Sequence, residues 1–231
     1  MIVRVYATGS KGNLYSIGDG NTSLLLEAGL PTAKIQEMLR YRLSDYSACL
    51  ITHEHGDHIK GAERLSIYMP IISTKETLSD INLVFYQYIE PLATITIGTL
   101  IIKAFPVKHN AKNPVGYYIQ STITNETLLF MTDAGFTPIC FPRLDYALIE
   151  CNYDNETIEE RYASGELNEA VYKSVKVNHL SLETLKQLLI ANNPKEIKKL
   201  YLIHGSSSNL NRQKTNQQIK EICNNLEEIC E

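Results

Sequence analysis

The chain has 231 residues, of which 44% are hydrophobic and 21% are charged, a composition typical of a globular protein and not of a disordered one. The formal net charge of −4 argues against a protein that binds long stretches of nucleic-acid backbone through a basic face. No apolar run approaches the roughly 20 residues of a membrane span, and the N-terminal segment lacks the apolar stretch of a signal peptide. Five cysteines without a Cys-x-x-Cys pair favour reduced thiols and a cytoplasmic protein.

Short runs of β-branched, aromatic and leucine residues predict strands along the first two thirds of the chain. These strands are expected at 2–7, 22–26, 48–52, 93–97, 100–105, 115–120, 128–132 and 146–149. Helices are expected at 31–41, 181–191 and 212–229, the second with a serine N-cap and leucines on one face. No repeat or linker divides the sequence, so we expect one α/β domain over residues 1–231, with sheets packed together and covered by helices.

A dense group of potential metal ligands follows the third predicted strand. His53, His55, Asp57 and His58 lie within six positions at the end of an apolar run. Desolvating imidazoles and carboxylates together is unfavourable unless a metal ion binds them, and this donor set suits zinc, with manganese or iron as alternatives. In an extended segment His53 and His55 point to the same side, whereas the other two ligands lie beyond the turn at Gly56. The group can therefore serve two neighbouring metal sites, and a histidine-rich surface loop is the alternative.

The spacing His-x-His-x-Asp-His resembles the signature of the metallo-β-lactamase superfamily, whose later motifs can be identified in order along this chain. The resemblance implies an αββα sandwich, with two mixed sheets packed face to face and helices outside. It also implies two divalent metal ions, zinc first and manganese second. One metal would be bound by His53, His55 and His109, the other by Asp57, His58 and His204, and Asp133 would bridge both. Taken alone, His109, Asp133 and His204 each have an ordinary structural explanation, as a turn residue or a capped residue at a strand end.

Two features at the start of the chain leave alternatives open. The family usually has an aspartate where this chain has Glu27, which either orients the metal-binding segment or is a surface carboxylate at a strand end. The segment Gly9–Asn13 resembles an N-terminal loop of the WalJ/YycJ-type members of the superfamily. A glycine-containing loop is by itself a weak signal, and a simple turn is the alternative.

Glu150 and His179 point to a reaction class, because a metal site alone does not determine the chemistry of this fold. Glu150 ends an apolar run, and His179 precedes the predicted helix 181–191. The arrangement resembles ribonuclease Z and the WalJ/YycJ-type phosphodiesterases, in which a glutamate orients a histidine that protonates the leaving oxygen. The resemblance implies Asp57, Glu150 and His179 as catalytic residues. The alternatives are an exposed strand end for Glu150 and a backbone contact for His179.

The expected substrate is a phosphodiester. Two divalent cations with two aspartate ligands and a hydroxide keep one net positive charge, which suits a monoanionic phosphodiester. The acidic chain and its size favour a small cyclic nucleotide, and the sequence resembles the anti-Pycsar phosphodiesterases of phages and bacteria. A nuclease acting on DNA or RNA is the alternative, and a non-catalytic metal-binding protein is the third. The resemblance also implies a homodimer, in the host cytoplasm if a phage encodes it. Base stacking or ordinary packing remains open for Tyr117, Tyr118 and Tyr153.

Overall fold

The computed structural model describes residues 1–137 and 139–227, which form two compact units. The first unit consists of Met1–Pro106 and Ala111–Thr127, and the second consists of Val107–Asn110 and the chain from Leu128 on. Their strands belong to two mixed β-sheets accompanied by helices, which confirms the predicted α/β class. The expectation of a single domain over residues 1–231 stays a prediction.

The first unit contains a six-stranded mixed sheet. Its strands follow chain order, and they are β1 (Ile2–Ala7), β2 (Leu14–Gly18), β3 (Ser23–Leu26), β4 (Ala48–Leu50), β5 (Ile71–Ser73) and β6 (Tyr86–Tyr88). β1, β2 and β3 are antiparallel, whereas β3 to β6 are parallel. The sequence analysis did not predict β2, β5 and β6, because β5 and β6 have only three residues each and carry little periodicity.

A second layer in the first unit consists of the antiparallel strands β7 (Thr94–Ile97), β8 (Leu100–Pro106) and β9 (Val115–Ser121). The Tyr117 hydroxyl of β9 donates a hydrogen bond to the carbonyl of Ile51, just after β4, at 2.6 Å. Helices α1 (Thr32–Met38), α2 (Gly56–Ile59) and α3 (Ala62–Leu65) pack on the six-stranded sheet through a shared apolar core. Tyr117 is fully buried in this packing, so it is a core residue and not a base-stacking one.

The second unit is built on four parallel strands, which are β10 (Thr127–Met131), β11 (Tyr146–Glu150), β12 (Lys199–Ile203) and β13 (Leu226–Glu227). Its helices are α4 (Asn155–Ala163), α5 (Glu169–Asn178), α6 (Leu182–Ala191) and α7 (Arg212–Lys220). Ser181 caps α6 as predicted, and its oxygen accepts a hydrogen bond from the Thr184 amide.

Helix α7 was predicted to extend to residue 229, but it ends at Lys220. The chain turns after this helix, and Leu226 pairs with Leu200 of β12. A tertiary strand pairing therefore replaces the last helical turns, and residues 228 and 229 lie outside the described residues. α4 and α5 were not predicted, because most of their residues are exposed and polar, and α4 also carries a weak apolar stripe. They begin instead at the side-chain caps Asp154 and Asn168.

Candidate active site

The segment after β4 brings three imidazoles of the first unit together. The Nε2 atom of His53 lies 3.1 Å from Nδ1 of His55, and the ring centroids of His53 and His58 are 4.1 Å apart. His53 and His58 are almost completely buried. Asp57 lies in the first turn of α2, with Oδ2 at 3.3 Å from Nε2 of His58. The surface-loop alternative for this segment is therefore wrong.

Glu27 orients this segment and is not a surface carboxylate. It is fully buried, and its backbone adopts a φ of +65°, which is uncommon for non-glycine residues. Its carboxylate accepts hydrogen bonds from the Thr52 amide at 3.3 Å and from the Thr52 hydroxyl at 2.6 Å. Its Oε1 atom lies 3.4 Å from Nδ1 of His58. One carboxylate thus contacts both ends of the histidine segment.

Asn13 is a second support for this segment that the sequence analysis did not identify individually. Its Oδ1 atom accepts hydrogen bonds from the Gly9 amide and the Tyr15 hydroxyl, both at 2.9 Å. These two donors fix the orientation of the amide, so that Nδ2 faces the carbonyl of Asp57 at 3.1 Å and Nε2 of His58 at 3.2 Å. The Gly9–Asn13 loop is therefore more than a turn, because it holds the ligand-bearing helix α2.

A second cluster forms within the second unit. β10, β11 and β12 are parallel neighbours, so the residues that follow them emerge at one edge of their sheet. Each residue of the cluster offers one ligand atom, and these atoms lie within 4.8 Å of one another; the four are Asp133, Glu150, His179 and His204. Asp133 and His204 adopt φ angles of +44° and +51°, which turn the backbone sharply at the strand ends. The sequence alone could not show these turns.

Glu150 and His179 form a directly hydrogen-bonded pair. Nδ1 of His179 lies 2.6 Å from Oε1 of Glu150. The other carboxylate oxygen of Glu150 accepts hydrogen bonds from the amides of Ala134 at 3.1 Å and Leu180 at 3.0 Å. Both alternatives from the sequence are wrong, because Glu150 is fully buried and the imidazole of His179 contacts carboxylates.

Electrostatics make this pair a carboxylate and an imidazolium. Burial lowers the pKa of His179, but the negative charges of Glu150 and Asp133 raise it more, to about 10. Burial raises the pKa of Glu150, but the charge and hydrogen bond of His179 outweigh that effect, so the pKa of Glu150 is lowered. Near neutral pH, His179 therefore carries a proton that it can donate.

The partners of His109 and His53 impose tautomers in which Nδ1 carries the proton and Nε2 carries the lone pair. The Nδ1 atom of His109 lies 2.9 Å from the carbonyl of Asn178, to which it donates, so the lone pair is on Nε2. The Thr52 hydroxyl donates to Glu27, so its oxygen accepts from Nδ1 of His53 at 2.9 Å. These are the tautomers that metal-binding histidines use. The donors of each unit therefore fit divalent metal ions.

Comparisons with known proteins agree with these features. A family model described as a beta-lactamase superfamily domain matches residues 22–204. The exodeoxyribonuclease WalJ of Streptococcus pneumoniae is 28% identical over 223 residues, which cover 89% of this chain and 81% of WalJ. A ribonuclease Z of Methanopyrus kandleri is 26% identical over 114 residues, 43% of this chain and 40% of that protein.

The fold is similar to that of a solved structure, the metallo-beta-lactamase fold protein YhfI of Bacillus subtilis. The TM-score is 0.73 at 16% sequence identity, with 99% of this chain and 95% of YhfI covered. This likeness confirms the predicted fold. Among the described residues, no helix has the length and apolar character needed to cross a bilayer.

Proposed function

Because the chain belongs to the β-lactamase superfamily, we propose that it is a metal-dependent hydrolase that cleaves phosphodiester bonds. The observation that carries this proposal is the Glu150–His179 pair, with 2.6 Å between Oε1 and Nδ1. A protonated imidazole that a buried carboxylate holds in place can act as a general acid for a poor leaving group. Such an acid suits an alkoxide leaving from phosphorus, because an alkoxide is too basic to depart readily without a proton.

The proposed metal ligands are the seven residues that the family signature identifies. His53, His55 and His109 are assigned to one metal, Asp57, His58 and His204 to the other, and Asp133 to both. Imidazole and carboxylate donors suit zinc first and manganese second. Two divalent ions would supply an acidified water as nucleophile and positive charge for the phosphate oxygens.

The protein residues would position and protonate the substrate. His179 would donate the proton on its ring to the departing oxygen, while Glu150 holds the ring orientation through Nδ1. Asp57 would be a metal ligand whose position is fixed by Asn13. Glu27 would fix the orientation of His58, and through Thr52 that of His53.

The first candidate substrate is a DNA end, and the second is a cyclic mononucleotide. The similarity to WalJ, which extends over 89% of this chain, supports an exodeoxyribonuclease. The net charge of −4 supports the small cyclic substrate, because an acidic chain repels a long polyanion. Both substrates need the same hydrolytic step at phosphorus, and the homodimer predicted by resemblance stays a prediction for either.

An assay panel separates the candidates. The purified chain is stripped with a chelator, reloaded with zinc or manganese, and incubated with single- and double-stranded DNA, RNA and the cyclic 3′,5′-monophosphates. We expect reloading to restore the release of 5′-mononucleotides from DNA ends. Turnover of cyclic nucleotides alone would select the second candidate. Failure to cleave any phosphodiester under either metal would refute the proposed function.

A further inference from the structure

A pocket of about 250 Å³ lies in the second unit, and one of its lining residues, Leu180, directly follows the proposed proton donor in the chain. Two of the chain segments that line it begin close in sequence to a site residue. Phe136 follows Asp133 by three positions, and Leu180 directly follows His179. The Leu180 amide and the His179 ring bind the same carboxylate, that of Glu150. The position of this pocket wall is therefore coupled to the position of the acid.

The lining of the pocket is uncharged. Its walls come from Leu180, from helix α6 and from four residues that precede β11, namely Phe136, Thr137, Ile139 and Cys140. No Asp, Glu, Lys, Arg or His is among the described lining residues. A phosphate group has no counter-charge there, whereas a neutral planar ring can replace water against Leu180 and Leu188. The electrostatics of the pocket thus select against the charged part of a nucleotide and for its base.

Two lining residues, Phe136 and Gln187, are exposed and can contact a ligand. The Phe136 ring is 53% exposed, although it is a large apolar side chain. An exposed aromatic ring at the rim of a pocket is a stacking surface for a base. The side-chain amide of Gln187 makes no hydrogen bond with any group that the structure describes. It can donate and accept hydrogen bonds at the edge of a base.

We propose that this pocket binds the nucleobase of the nucleoside that leaves from the scissile phosphodiester. The inference rests on the proposed function. The leaving nucleoside is chosen as the occupant because Leu180, which lines the pocket, is the neighbour in sequence of the proposed acid His179. Phe136 would stack on the base, and Gln187 would contact its polar edge. Leu180 and Leu188 would make apolar contacts with the base. The protein would then read the leaving nucleoside by its base, and phosphate binding would take place elsewhere.

The first experiment measures binding without turnover. The chain without added metal is titrated with nucleosides and, separately, with ribose, and binding is followed by ligand-observed NMR. We expect nucleosides but not ribose to bind, and Ala191→Trp, which fills the pocket from the end of α6, to weaken binding by about 10-fold or more. Ile190→Trp is the matched control, because Ile190 is 63% exposed and does not line the pocket. Equal binding by Ala191→Trp and wild type would overturn the assignment.

The second experiment links the pocket to catalysis. A dinucleoside monophosphate is compared with an analogue whose leaving nucleoside lacks its base. We expect wild type to cleave the intact substrate with a kcat/KM about 10–100-fold higher than that of the abasic analogue. Ala191→Trp should remove this difference by slowing only the intact substrate, and Gln187→Leu should change the order of preference among bases. An equal effect of Ala191→Trp on both substrates would contradict a base pocket.

The two experiments distinguish a failure of the inference from a failure of the proposed function. Nucleoside binding that Ala191→Trp abolishes, in a chain that cleaves no phosphodiester, would keep the pocket and reject the reaction. Cleavage of both substrates at equal rates by wild type would keep the reaction and reject the pocket.

Discussion

The histidine segment of the first unit and the acid pair of the second unit reach ordered geometry by different routes. His53, His55, Asp57 and His58 lie within six positions of the chain, and supports from elsewhere, Glu27 and Asn13, hold them. Glu150 and His179 are 29 positions apart and hold each other. The first arrangement is local and externally supported, whereas the second is a mutual contact. Loss of one partner should therefore have different consequences in the two regions.

The largest effect is expected for the mutual pair. His179→Ala should lower kcat on a phosphodiester with an alkoxide leaving group by about 10²–10⁴-fold, because the proton donor is lost. Metal content should stay at the wild-type level by elemental analysis. A substrate with a nitrophenolate leaving group should be affected much less, because that group departs without a proton. Equal losses on both substrates would contradict the role of His179 as an acid.

A smaller loss is expected when the ring loses only its charged partner. Glu150→Gln keeps the size of the side chain but removes the charge that raises the pKa of His179. We expect kcat on the alkoxide substrate to fall by about 10–10²-fold, with the activity maximum moved to lower pH. A rate profile against pH for both proteins measures this. An unchanged profile would mean that Glu150 does not control the proton on His179.

The externally supported segment is expected to respond through metal affinity. Glu27→Ala removes the carboxylate that contacts Thr52 and lies beside His58, and it should weaken metal binding by about 10–100-fold. A chelator competition titration measures the affinity. Glu54→Ala is the matched control, because the Glu54 carboxylate lies in the same segment but accepts from the Lys112 amide. Equal affinities for the two variants would show that Glu27 has no orienting role.

The smallest effect concerns the stability of the first unit and is expected at Asp19, which is not one of the proposed site residues. Burial raises the pKa of Asp19, but hydrogen bonds from Thr22, Thr99 and Ser121 lower it more, to about 2. The stabilisation is therefore complete above the unfolded pKa of 3.8 and disappears as the pH falls through about 2. Asp19→Asn should lower the free energy of unfolding at neutral pH by on the order of 1 kcal/mol.

Urea unfolding at several pH values measures this loss. The difference between Asp19→Asn and wild type should shrink below pH 3.8, because the wild-type carboxylate becomes protonated there too. Asp80→Asn is a control, since that carboxylate is exposed and contacts only exposed groups. A difference that is independent of pH would show that the charge of Asp19 does not stabilise the fold.

Local patterns predicted most of the longer strands, but they missed β2, β5 and β6, two helices and the end of a third helix. All eight predicted strands are present, because alternation within a strand is a property of consecutive residues. The end of α7 was wrong, because Leu226 pairs with Leu200, a contact between distant positions. α4 and α5 were missed because most of their residues are exposed and polar, although Asp154 and Asn168 cap their N-termini.

The sequence by itself determined the chemical identity of the candidate site. Its histidines and carboxylates can be identified as candidate metal ligands, because such ligands are particular residue types that lie at strand ends, and both features can be read from the sequence. Only the tertiary structure decided that Glu27 faces His58, that Asn13 holds Asp57, and that Leu180 lines an uncharged pocket. Those features depend on burial, on left-handed backbone turns and on contacts between distant residues, and no local pattern encodes them.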